Sequence, residues 1–150
     1  MVYYKEGDLL KSECKVLCHQ VNCKGVMGSG LALQVANKYP NVYSEYKQLC
    51  NSRDKELMGR VQFVECKDNH DIANLFAQYS YGYGKRYTDY EALENCISEV
   101  FNYAYEKGYS VAFPKLMGCD RGGGDWKIVL SIILKYFENS NIHCEIIERR

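Results

Sequence analysis

Two stretches of this chain share one grammar. In "KVLCHQVN" (15–22), "CKGVMGSG" (23–30) and "LALQVANKYP" (31–40), an apolar run leads into a glycine-rich loop and then into a segment with helical spacing. The same order returns in "YSVAFPKLM" (109–117), "GCDRGGGDW" (118–126) and "DWKIVLSIILKYFEN" (125–139). A short continuous apolar run bounded by turn residues reads as a buried strand, and strands alternating with helices build a parallel sheet. The remaining segments fit the same scheme. "VYYKEG" (2–7), "GRVQFVEC" (59–66), "DIANLFAQ" (71–78) and "IHCEIIER" (142–149) read as strands, and "NVYSEYKQLC" (41–50) as a helix after Pro40 has ended the one before it. The segment 88–108 reads as a helix with Thr88 and Glu91 as its capping box, Gly108 as its stop, and Leu93, Cys96, Ile97, Val100, Phe101 and Ala104 on its apolar face. The 150 residues contain no repeat, low-complexity stretch or linker. The expectation is one domain over 1–150 with an α/β fold, a three-layer α/β/α sandwich around a central mixed, mostly parallel sheet.

The two glycine loops point to a ligand. In open α/β sheets ligands sit at the carboxyl ends of the strands, and glycine lets backbone amides at a helix start approach an anion. Two such loops suit a pyrophosphate joined to sugars. The common nucleotide templates are missing: "GVMGSG" is spaced G-x-x-G-x-G, and no G-x-x-x-x-G-K-[ST] occurs. The plain alternative is a pair of tight turns.

Charge and cysteine narrow the partners. Nineteen basic residues balance nineteen acidic ones, so there is no strong signal for duplex nucleic acid. The eight cysteines include no C-x-x-C pair and no histidine at ligand spacing beside a cysteine pair, so no metal site and no cofactor are expected. Most lie in apolar runs and read as reduced, buried thiols. The N-terminus lacks a signal-peptide pattern and no apolar run nears ~18 residues, so the expectation is a cytoplasmic protein with no membrane partner.

At this point the residues resemble a macrodomain, the ADP-ribose-binding family. "KEGDLLKSECKVLCHQVNCKGVMGSGLALQVANKYP" is similar to the family's opening, and "VAFPKLMGCDRGGGDW" to its phosphate-wrapping second loop. The likeness spans nearly the whole chain and is strongest to a small branch holding ADP-ribose-1''-phosphate phosphatases and the terminal ADP-ribose protein glycohydrolase. It implies that Asp8 accepts a hydrogen bond from the adenine amino group, that Asn22 sits at the distal ribose, and that Gly28, Ser29 and Gly30 bring amides to that ribose and the adjoining phosphate. Gly122, Gly123 and Gly124 would offer amides to the pyrophosphate, with Asp125 touching ligand or capping the next helix, roles that need not exclude each other. Trp126 reads as a packing residue.

The resemblance also assigns chemistry. The phosphatase branch carries a histidine where His19 stands, and an imidazole beside a phosphoryl group can act as general acid or base; the alternative is a core histidine. The glycohydrolase branch uses a lysine nucleophile near the position of Gln78, and an amide cannot form that adduct. The reading is ADP-ribose binding with hydrolysis of an ADP-ribose derivative, the 1''-phosphate ester first. A non-catalytic reader, or removal of ADP-ribose from protein or nucleic-acid acceptors, is the alternative.

Overall fold

A computed structural model, which describes residues 1–53 and 55–150, lays six strands side by side. They are β1 (Val2–Glu6), β2 (Val16–Val21), β3 (Val61–Glu65), β4 (Asp71–Phe76), β5 (Val111–Pro114) and β6 (Cys144–Glu148). The spatial order is β1-β6-β5-β2-β4-β3. All neighbours run parallel except the edge strand β3, which pairs antiparallel with β4. The helices are α1 (Gly30–Lys38), α2 (Pro40–Arg53), α3 (Tyr90–Lys107) and α4 (Trp126–Phe137). The mixed, mostly parallel α/β sandwich expected from the sequence is the observed fold.

Side-chain alternation assigns the layers. Val16, Cys18, Ala73, Leu75, Val111 and Phe113 join Leu93, Ile97, Val100, Val129 and Ile133 in one core under α3 and α4. Leu17, Val21, Ile72, Phe76 and Ala112 join Val35, Val42 and Tyr46 in the other, under α1 and α2. Each fully buried Leu, Ile or Val contributes roughly 1.5–3 kcal/mol, so both faces of the central strands are strongly held. The chain leaves β2 toward α1 on one face and leaves β5 toward α4 on the other. β2 and β5 are neighbours, so a crevice opens between their carboxyl ends where the connections diverge.

Several boundaries differ from the sequence expectation. The capping box at Thr88 gives way to Asp89, whose carboxylate accepts from the Ala92 amide at 3.0 Å. Thr88 is buried, and its hydroxyl donates to the Gly118 carbonyl at 2.7 Å. A tertiary partner has taken the threonine, and the next residue does the capping. Pro40 ends α1 but also opens α2, because a proline lacks only an amide that a first helical turn leaves unpaired. The strand expected over 109–117 stops at Pro114, and Leu116 sits at φ 68° in the left-handed region with half its surface exposed. Gly108 ends α3 at φ 71°, as expected.

Candidate functional site

The crevice beyond β2 and β5 is a cleft of about 1260 Å³. One wall is the first glycine loop, with Asn22, Val26, Gly28, Ser29 and Gly30; the other is the second, from Lys115 to Gly122. Asp8 lies at one end, and His19, Gln20 and Gln78 contribute to the lining.

The first loop is shaped by a side chain. Asn22 donates from Nδ2 to the Val26 carbonyl at 2.9 Å, and its Oδ1 accepts from the Lys24 amide at 3.0 Å and the Tyr46 hydroxyl at 2.8 Å. An amide group thus staples the turn that leads into α1. The amides of Gly28, Ser29, Gly30, Leu31 and Ala32 make no hydrogen bond within the described residues, which leaves the positive end of α1 unsatisfied beside the cleft.

The second loop is shaped by backbone contact. The Gly122 carbonyl accepts from the amides of Tyr87 at 2.7 Å and Thr88 at 2.9 Å, which ties it to the aromatic loop 79–87. A β-carbon on Gly122 would stand 2.5 Å from Thr88 Oγ1, and one on Gly123 2.6 Å from the Lys85 carbonyl. The three glycines are therefore needed for packing. The amides of Gly123 and Gly124, expected to meet the pyrophosphate, donate here to the carbonyls of Asp120 at 3.3 Å and Gly118 at 2.9 Å. Neither lines the cleft, whereas Gly122 does. Among the described residues, the amides of Gly118, Asp120, Arg121 and Gly122 are among the unengaged ones in this loop. Asp125 caps α4 by accepting from the Lys127 amide at 2.9 Å and lies outside the cleft lining. Trp126 packs against the core, as expected.

Asp8 caps a turn and also lines the cleft. Its Oδ1 accepts from the Leu10 amide at 3.0 Å, capping the turn Leu9–Lys11, while the exposed residue lines the cleft. One carboxylate has lone pairs for both.

His19 is 2% exposed, on the face of β2 that looks toward α1 and α2. Its Nε2 lies 2.5 Å from Asn74 Oδ1, and Asn74 Nδ2 donates to Gln62 Oε1 at 3.0 Å. An amide oxygen only accepts, so Nε2 carries the proton and Nδ1 holds a lone pair, for which the chain supplies no partner. Burial lowers its pKa from 6.5 to about 4. The imidazole is therefore neutral near pH 7, with the Nδ1 lone pair free. Cys119, also on the cleft, has its thiol pushed up to about 11 by burial and is a poor nucleophile.

A polar network beside the cleft escaped the sequence reading. Gln20 Nε2 donates to Gln78 Oε1 and to Thr88 Oγ1, both at 2.8 Å, and Gln20 Oε1 is buried without a partner. Two adjacent polar residues in the apolar run "VLCHQV" were the available signal. The fold also brings Cys14, His143 and Glu145 within 4.8 Å of one another, a donor set that spacing alone did not reveal. Glu145 Oε2 is already engaged there by Lys5 at 2.8 Å and His143 at 2.7 Å.

The fold and its paired loops define a class. Residues 18–133 match the family model described as Macro domain, and the chain belongs to that family. The DNA ADP-ribosyl glycohydrolase of Mycobacterium tuberculosis is 27% identical over 139 residues, covering 92% of this chain and 39% of that protein. This chain therefore spans about two fifths of that relative's length. The ADP-ribose 1''-phosphate phosphatase of Saccharomyces cerevisiae is 32% identical over 73 residues, covering 47% of this chain and 41% of the other. The solved macrodomain of Mycobacterium tuberculosis DarG superposes with a TM-score of 0.85 at 26% identity, covering 98% of this chain and 97% of that one. Thermosipho africanus DarTG in complex with ADP-ribose superposes at 0.82 and 25% identity, covering 98% of this chain and 41% of that one. Among the described residues, no helix is long and apolar enough to cross a membrane.

Proposed function

We propose that this macrodomain binds ADP-ribose along the cleft and hydrolyses an ADP-ribose derivative, with the 1''-phosphate ester as first substrate. The observation that carries the reading is the meeting of two glycine-rich loops, with unengaged amides on both, across one cleft; His19 contributes to its lining, and the ring's Nδ1 is buried without a partner just behind that surface. Asp8 receives the adenine amino group. The amides of Asp120–Gly122 and the start of α1 receive the phosphates, and the loop stapled by Asn22 holds Gly28–Gly30 against the distal ribose. Phosphate-ester cleavage then needs a water. His19 Nδ1 accepts that water's proton as its oxygen attacks phosphorus, the ester P–O bond breaks, and the proton passes to the departing ribose oxygen, giving ADP-ribose and inorganic phosphate. A cytoplasmic setting goes with this reading, since the buried thiols Cys14, Cys18, Cys96 and Cys144, outside any disulfide, suit a reducing compartment.

The long match to a DNA ADP-ribosyl glycohydrolase favours a second reading, removal of ADP-ribose from a macromolecular acceptor. Gln78 supplies no lysine chemistry for it. One experiment tests both. Incubation with ADP-ribose-1''-phosphate and with ADP-ribosylated protein and oligonucleotide should release inorganic phosphate from the first. His19→Ala should lower that rate by about 10²–10⁴-fold while ADP-ribose affinity in calorimetry changes far less. Release of ADP-ribose from an acceptor, with no phosphate release, would favour the second reading. Binding with no product from any substrate would leave a reader.

A further inference from the structure

Beside the cleft, between the aromatic loop and the second glycine loop, lies a second open pocket of about 490 Å³. Tyr83, Lys85, Asp120 and Arg121 form its walls, and three glycines leave the space. Asp120 and Arg121 line both the pocket and the cleft, so the two are continuous. Tyr83 is 75% exposed, a large value for an aromatic ring, and Tyr81, on the cleft side, is 50% exposed. The Arg121 guanidinium stands 4.7 Å over the Tyr83 ring and holds it from one face. Arg86 stacks in the same way on Tyr90 at 4.5 Å. Lys85 and Arg121 line the pocket with Asp120 as its one acid, and Arg86 follows Lys85 in the same loop, so the pocket lining is locally basic in a chain whose net charge is zero.

We propose that this rim binds a single-stranded nucleic acid, with a base stacked on Tyr83 and the flanking phosphates against Lys85, Arg86 and Arg121. A flat ring fixed from behind by a guanidinium and exposed in front offers what an unpaired base needs. Neighbouring cations supply the backbone term, and sequence-tolerant binding follows because every base has a π-face. A pocket of this size accommodates a nucleotide. An acidic peptide would use the cations but gain little from the rings, and a duplex hides its bases. The proposal goes beyond the reading of the cleft and does not depend on turnover. It supplies a place for the acceptor strand if the ADP-ribose in the cleft is attached to one.

Fluorescence anisotropy with a labelled single-stranded thymidine 12-mer tests it on the full chain at low salt. The oligonucleotide should bind, with affinity falling as salt rises. Tyr83→Ala and Arg121→Ala should each weaken binding by about tenfold or more. Tyr105→Ala removes an equally exposed ring on α3, at 71% exposure, and should change nothing. ADP-ribose titration of Tyr83→Ala should match the wild type, which shows that the cleft and fold are intact and separates failure here from failure of the ADP-ribose reading. Binding that is absent at low salt, equal for the duplex form, matched by an acidic peptide, or insensitive to Tyr83→Ala would overturn the proposal.

Discussion

Gly123→Ala tests whether the second loop is a packed structure or a slack turn. Gly123 has φ +69°, a conformation that costs an L side chain roughly 1–2 kcal/mol. Its new β-carbon would lie 2.6 Å from the Lys85 carbonyl and 3.0 Å from Arg86 Cα. Both are backbone atoms, so relief requires the two loops to part. Parting them breaks the bonds from the Tyr87 and Thr88 amides to the Gly122 carbonyl, each contributing ~1 kcal/mol. The sum is ~3 kcal/mol. If ADP-ribose binding requires the loops joined, its Kd rises by about a hundredfold. Calorimetry reads that change, and circular dichroism with thermal melting confirms that the two cores persist. Gly84→Ala is the control: φ is +83° there, but nothing lies within 4 Å of the new β-carbon, so only the conformational cost applies and affinity should stay within several-fold. A folded Gly123→Ala protein that binds ADP-ribose within about threefold of the wild type would refute the argument.

Two further outcomes follow from buried polar groups. His19 has a pKa of about 4 when folded against 6.5 when unfolded, so the unfolded chain binds more protons between those values. The stability this provides is full above pH 6.5 and falls by ~3 kcal/mol as the pH drops toward 4; urea midpoints across that window should fall in the wild type and fall less in His19→Gln, and identical profiles would rule the effect out. Tyr103 donates to the buried Asp71 carboxylate at 2.6 Å, with Lys15 at 3.4 Å from the other oxygen. Tyr103→Phe should lower stability by about 1–3 kcal/mol and leave ADP-ribose affinity unchanged, because Asp71 starts β4 at the opposite end of the sheet from the cleft; a weakened ligand titration would contradict that separation.

The layers were legible because apolar runs such as "VLC" and "VAF" bury both faces and their helices follow directly. The cleft was legible from two glycine loops in equivalent places, since position in a parallel sheet is a consequence of chain order. What each loop residue does there was not legible. Thr88 reads locally as a cap, and only the fold brings the Gly118 carbonyl to its hydroxyl. Gly123 and Gly124 read as phosphate binders, and only the fold shows that their missing β-carbons make room for backbone, that of Lys85 and Arg86 at Gly123 and that of Gly118 at Gly124. Gln20 and Asn74 lie in apolar strands, and their roles depend on the register that sets His19 opposite Asn74. Short-range pattern encodes elements, whereas the partners of a polar group come from elements far apart in sequence.

The two loops reach one cleft by different physical means, and this bears on what each tolerates. The first is held from inside by Asn22, whose amide group bonds to Lys24, Val26 and Tyr46. A change at Gly28, where a β-carbon would meet only its neighbour Val26 at 3.4 Å, alters the surface offered to a ligand without undoing the staple. The second is held from outside, by backbone pressed on backbone, and most of its glycines admit no side chain at all. Its shape is therefore tied to the aromatic loop. A strand that shifts the Arg121 backbone on the rim acts on the same wall that holds the amides of Asp120, Arg121 and Gly122. A strand bound at the rim and a ligand bound in the cleft thus share one structural element, and occupancy of one site should alter affinity at the other by the same factor in both directions.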